Sequence, residues 1–485
     1  MTDLLLAIDA GTGSGRAGLF DRNGRCVGSA SRPWAAHMPA ALAPLGREYD
    51  ADVIDSLLKE AITEALGGAG QDVVAITVTG QRIACAFVGD EDETLYLGPN
   101  SDVRAMLGAD LDDLDPEALY TETGRFPPWI FAPARARWLE SMAPDDAARL
   151  RWVLDMPGWF AHRLGAAPAI DPTLAADLMM IDVRSGAPRE SRLPFPPLST
   201  PGTPIGELAA NPLGMRPGTP IVLGAADTPL ALLASDVVES GTALVAGSSA
   251  PLLRVVDAPI TDPLGRLWLD PHAVADRWLV EANLGEMGTC HAWTARVIAG
   301  LDLDDKGWAA YDRIARDALP GCRGSSAHLG PRAMDLRQLN TGRPAGLLMP
   351  FGETSTGAPP GRPEVLRSFL ESCAYATKAG LAWLDAVAPS AGALHVSGGM
   401  SRSAFFCQLL ADVLARPILG MHPDATLRGA AACAAVGAGW FGSLPEAARA
   451  MARPGHRFEP DETAEDAYED AFERWTEREA LLEDA

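Results

Sequence analysis

Asp9-Ala10-Gly11-Thr12-Gly13-Ser14-Gly15 puts a carboxylate, two hydroxyls and three glycines into seven residues. Apolar Leu4–Ile8 precedes it, Ala17–Phe20 follows, and Asp21-Arg22-Asn23-Gly24 turns the chain towards Arg25–Ala30. The whole reads as strand, tight turn, strand, turn and strand. Backbone N–H groups in such a turn can cradle phosphate, and Asp9 offers the hard oxygen that suits Mg²⁺, directly or through water. A plain β-turn needs the same residues, so alone the hairpin leaves both readings open. Gly13-Ser14-Gly15-Arg16-Ala17-Gly18 also fits G-x-G-x-x-G, but that fingerprint requires the glycines to open a helix. Here strand and turn residues follow, and no acidic strand end lies about twenty residues on, so the dinucleotide reading fails. Lys59, Lys306 and Lys378 are the only lysines, and none stands in a P-loop pattern.

Asp227 lies between a strand at Ile221–Leu223 and a helical run, Pro229–Ala234. A carboxylate there can point into a cleft as a general base for an alcohol; it can equally cap the helix. Arg82 follows a core strand, Val73–Thr79. Its planar fork suits vicinal hydroxyls or, equally, a surface carboxylate. Asp102 and Arg104 are weaker candidates of the same sort. His291 and His395 lack the spaced partners of a zinc site and read as packed or capping residues.

These residues need a scaffold. Thr242–Ala246, Gly247-Ser248-Ser249 and Leu252–Val256 repeat the strand, small-residue turn and strand of the N-terminus. The repetition suggests duplication and two similar, facing domains. Leu394–Val396 leads through Ser397-Gly398-Gly399 into a helix over Arg402–Leu414, apolar at 405, 406, 409, 410, 413 and 414. Asp52 is the expected cap of a helix over Val53–Leu66. Residues 185–220 read as irregular, and the acidic tail 461–484 as an exposed helix.

At 485 residues the chain exceeds one ordinary core. A formal charge of −24 opposes binding to nucleic acid or an anionic membrane. Seven scattered cysteines without C-x-x-C suggest reduced thiols in the cytoplasm. The N-terminus lacks a basic signal region, and the longest apolar stretch, Gly429–Gly442, is shorter than a membrane span.

Four segments in order carry a further signal: Asp9-Ala10-Gly11-Thr12; Gly80-Gln81-Arg82; Gly224-Ala225-Ala226-Asp227 followed by Gly247-Ser248-Ser249; and Ser397-Gly398-Gly399-x-Ser401. From about residue 4 to 442 the chain resembles the FGGY family of carbohydrate kinases. That resemblance implies an α/β fold of two ribonuclease-H-like domains of the actin/hexokinase type, with ATP and sugar meeting in the cleft between them. The expected division is 1–236, carrying the sugar side, and 237–485, carrying the nucleotide side. Gly11, Thr12, Gly13 and Ser14 correspond to a first phosphate loop, with Asp9 for Mg²⁺, and Gly247, Ser248 and Ser249 to a second. Gly288, Gly398, Gly399 and Ser401 correspond to the adenosine side, Asp227 to the catalytic base, and Gln81, Arg82 and Asp102 to the sugar side.

Some positions depart from the family pattern. Ile83 replaces the Glu of glycerol kinases and Arg82-Ile83 the Met-His of xylulose kinases. Asn100-Ser101-Asp102 stands where xylulose kinases have Trp-Asn-Asp. The opening hairpin and the stretch Thr261–His272 resemble most the autoinducer and erythritol kinases. The implied activity is ATP- and Mg²⁺-dependent phosphorylation of a terminal hydroxyl on a small neutral sugar or polyol, in a cytoplasmic protein, with a homodimer as its expected assembly. The competing readings are a non-catalytic nucleotide or sugar sensor of this fold and an NAD-dependent dehydrogenase.

Overall fold

Leu4–Ala10 is buried along its whole length. Alternation sends Leu4, Leu6 and Ile8 into one hydrophobic cluster and Leu5 and Ala7 into another on the opposite face. A strand apolar on both faces belongs in the middle of a sheet covered on both sides. The computed structural model describes residues 3–483 apart from 113, 210–212, 339–343, 352–358, 423 and 454. In it this strand is third of six, in the order Cys26–Pro33, Ser14–Phe20, Leu4–Ala10, Val73–Gly80, Pro220–Ala226, Pro204–Glu207. The first three are antiparallel neighbours, and the next two continue parallel to Leu4–Ala10.

Gly15 and Gly18 of the dinucleotide-like pattern thus lie inside the strand Ser14–Phe20, not at a helix start. The dehydrogenase reading has no helix N-terminus there to hold a pyrophosphate.

A second sheet runs Trp268–Pro271, Trp278–Asn283, Pro251–Val256, Gly241–Val245, Leu394–Ser397, Ile418–Gly420, Arg457–Phe458. Its heart repeats the first: an antiparallel hairpin beside parallel crossover strands. The helix Arg362–Val387 covers it, and Phe369, Leu370, Cys373 and Leu384 are fully buried. Two ribonuclease-H-like units of the actin/hexokinase type are therefore present. A small sheet of Thr94–Gly98, Cys85–Gly89 and Leu150–Asp155 is inserted in the first.

A cut at 236/237 does not follow the packing throughout. The helices Ala425–Gly437 and Leu444–Met451 pack back on the first sheet, where Leu427, Ala431 and Met451 join the cluster of Leu5 and Ala7. This explains the apolar stretch at 429–442, much of it one buried helix. Among the described residues no helix is long and apolar enough to cross a membrane.

Local expectations shift by a residue or two. Asp50, not Asp52, caps the helix Ala51–Leu66, accepting from the N–H groups of Asp52 and Val53. Ser403 caps Ala404–Leu414, so that helix starts after Arg402. The acidic tail is a helix, Glu465–Glu483, exposed over most of its surface, with one face buried against the second core through Tyr468, Ala471 and Trp475.

Candidate active site

The two sheets face a shared cavity of about 1340 Å³. Asp9 is the last residue but one of the strand Leu4–Ala10 and sits opposite Arg16 across the hairpin. Arg16 Nε donates to Asp9 Oδ2 at 3.0 Å and a second guanidinium nitrogen binds the same oxygen. Asp9 Oδ1 is buried without a hydrogen-bond partner. Gly11 N–H donates to the Ser14 carbonyl at 3.1 Å and closes the turn. Trp34 Nε1 donates to the Gly11 and Thr12 carbonyls, both at 3.2 Å, and the Tyr49 hydroxyl to that of Thr12 at 2.7 Å. With its carbonyls held from behind, the turn leaves Thr12 and Gly13 exposed.

The second turn is built from closer contacts. Gly288 N–H donates to the Gly247 carbonyl at 2.8 Å, and a Cβ at Gly288 would lie 2.3 Å from that oxygen. Gly398 has φ +85° and lies so near Ala246 that a Cβ would fall 2.5 Å from its carbonyl. Ser248 and Ser249 are left exposed to the cavity. Gly288→Ala is expected to cost roughly 1–3 kcal/mol by overpacking and to raise KM for nucleotide more than KM for the acceptor. Denaturant unfolding and steady-state kinetics measure the two effects; unchanged values in both would mean the helix Met287–Trp293 does not position this turn.

Asp227 opens the helix Asp227–Leu233 without capping it. The N-cap position is Ala226, which makes no side-chain capping bond, and Asp227 Oδ1 accepts from the Thr228 hydroxyl at 3.1 Å. Asp227 lines the cavity with Asp9, Arg16 and both turns. Burial and then the Asp9 charge push its carboxyl up to about 6, against the opposing pull of Arg82. A carboxylate so tuned accepts a proton near neutral pH.

Arg82 lines the same cavity, but its fork is engaged. Nη1 and Nη2 donate to the two carboxylate oxygens of Glu281 at 2.5 and 2.9 Å, and Asp270 Oδ2 lies 3.8 Å away. Arg125 joins Asp270 and Asp177 to the cluster, with Asp177 Oδ1 at 2.5 Å. Burial drives the Asp177 and Asp270 carboxyls up from their ordinary range. Arg82, Arg125 and Asp177 come from the first unit, and Asp270 and Glu281 from the second sheet. A buried ionic cluster therefore ties the two together behind the cleft.

Two expected contacts, Asp102 and Ser401, lie outside the cavity lining, and a third, Gln81, lines it with its amide already engaged. Asp102 is fully buried and does not line the cavity; its carboxylate accepts from Arg104 Nε at 2.6 Å, the Tyr96 hydroxyl at 2.5 Å and the Arg47 N–H at 2.8 Å. Its neighbours Asn100 and Ser101 face the cavity instead. Gln81 lines the cavity but is 1% exposed, and its amide donates to the Gly11 carbonyl at 3.3 Å and to Tyr49 at 3.1 Å. Ser401 lies outside the lining, its hydroxyl donating to the Gly398 carbonyl at 2.8 Å and closing that loop.

The structure also adds residues that the sequence reading passed over. Arg16 was legible, since positions 9 and 16 are equidistant from the turn at 11–14 and so must pair across an antiparallel hairpin. Asp305, Trp308, Ala309 and Asp312 present one face of the helix Asp305–Arg316 to the cavity, at the i, i+3, i+4 and i+7 spacing. His291 is a packed histidine, with its ring centroid 4.6 Å from those of both Trp308 and Tyr311.

Residues 4–234 match the model of the FGGY family of carbohydrate kinases, N-terminal domain, and residues 274–438 that of its C-terminal domain. The chain belongs to the FGGY family of carbohydrate kinases. It is a carbohydrate kinase, an enzyme that phosphorylates sugars or their relatives. It is 25% identical over 498 residues to the autoinducer-2 kinase of Klebsiella pneumoniae, covering 97% of this chain and 92% of that protein. In fold it is similar to a gluconate kinase from Lactobacillus acidophilus, with TM-score 0.84 and 20% identity over 99% of each chain. It is also similar to a xylulose kinase from Rhodospirillum rubrum, with TM-score 0.82 and 23% identity over 99% of each chain. FGGY kinases take ATP as phosphate donor, and the turns at Gly11–Ser14 and Gly247–Ser249 line the same cavity.

Proposed function

We propose that the chain transfers the terminal phosphoryl group of ATP to a terminal hydroxyl of a small neutral sugar, polyol or related carbonyl compound, with Asp227 as general base. The observation that carries this reading is Asp227 itself. It caps no helix, opens on the cleft between two exposed glycine turns, and is held by burial at about 6. Phosphoryl transfer asks the protein mainly for placement and charge neutralisation. The backbone turns at Gly11–Ser14 and Gly247–Ser249 bind phosphate oxygens from two sides, and Gly398, Gly399 and Gly288 let the backbone approach the nucleoside. Asp227 takes the acceptor proton as the new P–O bond forms.

Asp9 is a fitting ligand for Mg²⁺, since one of its buried oxygens lacks a partner. No group of three or more His, Cys, Asp or Glu side chains able to hold a metal occurs among the described residues. The ion would therefore sit on Asp9, water and the nucleotide's own phosphates, as Mg²⁺ commonly does. When bound it neutralises charge on the transferred phosphate. Arg16 already supplies one cation beside Asp9, a role for which the chain has no lysine nearby.

ADP release in the presence of excess chelator is expected to fall to background and to return with added Mg²⁺. Full activity in chelator would remove both the ion and the role given to Asp9. Acidic residues outnumber basic ones in the chain by 64 to 40, which opposes entry of an anionic acceptor. A coupled ADP-release screen over ketoses, alditols and sugar acids tests the substrate class. Efficient turnover of sugar acids alone would overturn the neutral-substrate reading and leave the kinase standing.

A further inference from the structure

Just before Asp227 the first sheet departs from regular pairing. Val78 pairs with Leu223 and Gly80 with Ala226, so Thr79 alone faces both Gly224 and Ala225. The extra residue on the strand Pro220–Ala226 makes a β-bulge, which bends a strand and re-aims the side chains beside it. Gly224 is pressed against its neighbour strand there, since a Cβ would lie 2.2 Å from the Val78 carbonyl.

Two buried threonine hydroxyls take up the backbone groups of this bulge. Thr79 Oγ1 donates to the Ala225 carbonyl at 2.6 Å, and Thr173 Oγ1 accepts the Ala226 N–H at 2.9 Å. Ala226 is the N-cap of the helix that Asp227 opens, so both bonds fall within two residues of that carboxylate. A threonine hydroxyl has one proton to give. That of Thr173 goes to Asp171 Oδ1 at 2.6 Å, which leaves its lone pairs for Ala226. Asp171 is fully buried, and its Oδ1 also accepts the Thr173 N–H at 2.8 Å. These contacts cap the helix Pro172–Asp177, a role that accounts for the bonds between Thr173 and Asp171 but not for the one from Ala226. Thr79 is also fully buried and is paired in register with Asp9 on the adjoining strand. It therefore stands between the strands that carry the two carboxylates of the site.

Resting on the assignment of Asp227 as base, we infer that Thr79 and Thr173, the latter oriented by Asp171, are positioning residues that aim Asp227 at the acceptor hydroxyl. None of the three lines the cavity, so their effect on the reaction passes through the backbone they hold. A misplacement of about 1 Å in a reacting group can cost roughly 10²-fold in rate.

The test follows ADP release from MgATP with D-xylulose, D-ribulose, erythritol, glycerol and D-gluconate, and uses whichever is turned over fastest. Thr173→Val keeps the size of the side chain and leaves the Ala226 N–H buried without a partner. It is expected to lower kcat by roughly 10–100-fold and to leave KM for ATP within about twofold. Thr173→Ser restores the hydroxyl and should return kcat to within about threefold of the unaltered enzyme. Thr79→Val should lower kcat in the same direction, and it carries the test if Thr173→Val does not fold. In an Asp227→Asn background, Thr173→Val should change kcat by about twofold or less, because the carboxylate it acts through is already gone. Unchanged kcat in both valine variants would overturn the inference. So would a loss that serine does not restore, or one that persists in full beside Asp227→Asn. Near-normal turnover in Asp227→Asn alone marks the separate failure of the base reading, and the inference falls with it. If none of these acceptors is turned over, crystal structures of the variants decide. A shift of the Asp227 carboxylate by more than about 0.5 Å in Thr173→Val, reversed in Thr173→Ser, would support the inference; an unmoved carboxylate would sink it.

Discussion

With Asp227 as the proposed base, Asp227→Asn is expected to lower kcat by roughly 10²–10⁴ and to leave nucleotide affinity within a few-fold. The amide keeps the shape of the carboxylate and its bond from Thr228 but cannot accept the acceptor's proton. The geometry excludes the simplest structural alternative, since Asp227 makes no capping bond whose loss would unfold the helix. The pH profile supplies a second, independent readout. Burial raises the Asp227 carboxyl to about 6, and the base must be ionised to work. The rate is therefore full above that value and falls as pH drops through it, reaching a tenfold loss about one pH unit below. In Asp227→Asn the residual rate should lose this acid limb. Near-normal turnover in the variant, or an acid limb unchanged by it, would show that another group takes the proton.

Glu281→Ala destabilises the protein by roughly 3–5 kcal/mol, because it leaves Arg82 buried without its bidentate partner. The Glu281 side chain is 0% exposed and that of Arg82 13%, so water screens the pair little. Denaturant unfolding measures the loss. Replacing both partners by leucine should restore much of it, since an apolar pair of similar volume avoids the desolvation of two charges. The cluster joins the two units behind the cleft, so Glu281→Ala should also raise KM for the acceptor. A loss under about 1 kcal/mol, the range of exposed ion pairs, would mean that the link opens to solvent and holds nothing together.

The same pair shows where reading the chain stops short. A lone arginine after a core strand has two chemically sound partners, a sugar's hydroxyls or a carboxylate. Glu281 is 199 residues away in sequence, and only the packing of the second unit beside the first brings it within reach. Asp102 tells the same story from the acid side. Its sequence context marks it as a polar residue after a turn, while Tyr96, Arg104 and Arg47 together enclose it. Ile83 is the opposite case. The departure from the family pattern was visible as a letter, but its left-handed backbone, φ +67°, and its packing with Ile130, Trp268 and Leu336 were not.

What the sequence by itself determined were features whose cause is local: the glycine turns and the strands beside them, the helix whose apolar face repeats every 3.6 residues, and the order of motifs that marks the family. Turn chemistry and side-chain periodicity act over a few residues, so a few residues suffice to read them. The tertiary structure alone decided which polar groups face the cleft and which are tied up behind it. It also returned the helices Ala425–Gly437 and Leu444–Met451 to the first sheet and packed Ile83 and Ile130 of the first unit with Trp268 and Leu336 of the second. Those outcomes turn on pairing and burial between distant segments. A carboxylate's charge, a guanidinium's freedom and an isoleucine's exposure are set by whatever the fold packs against them.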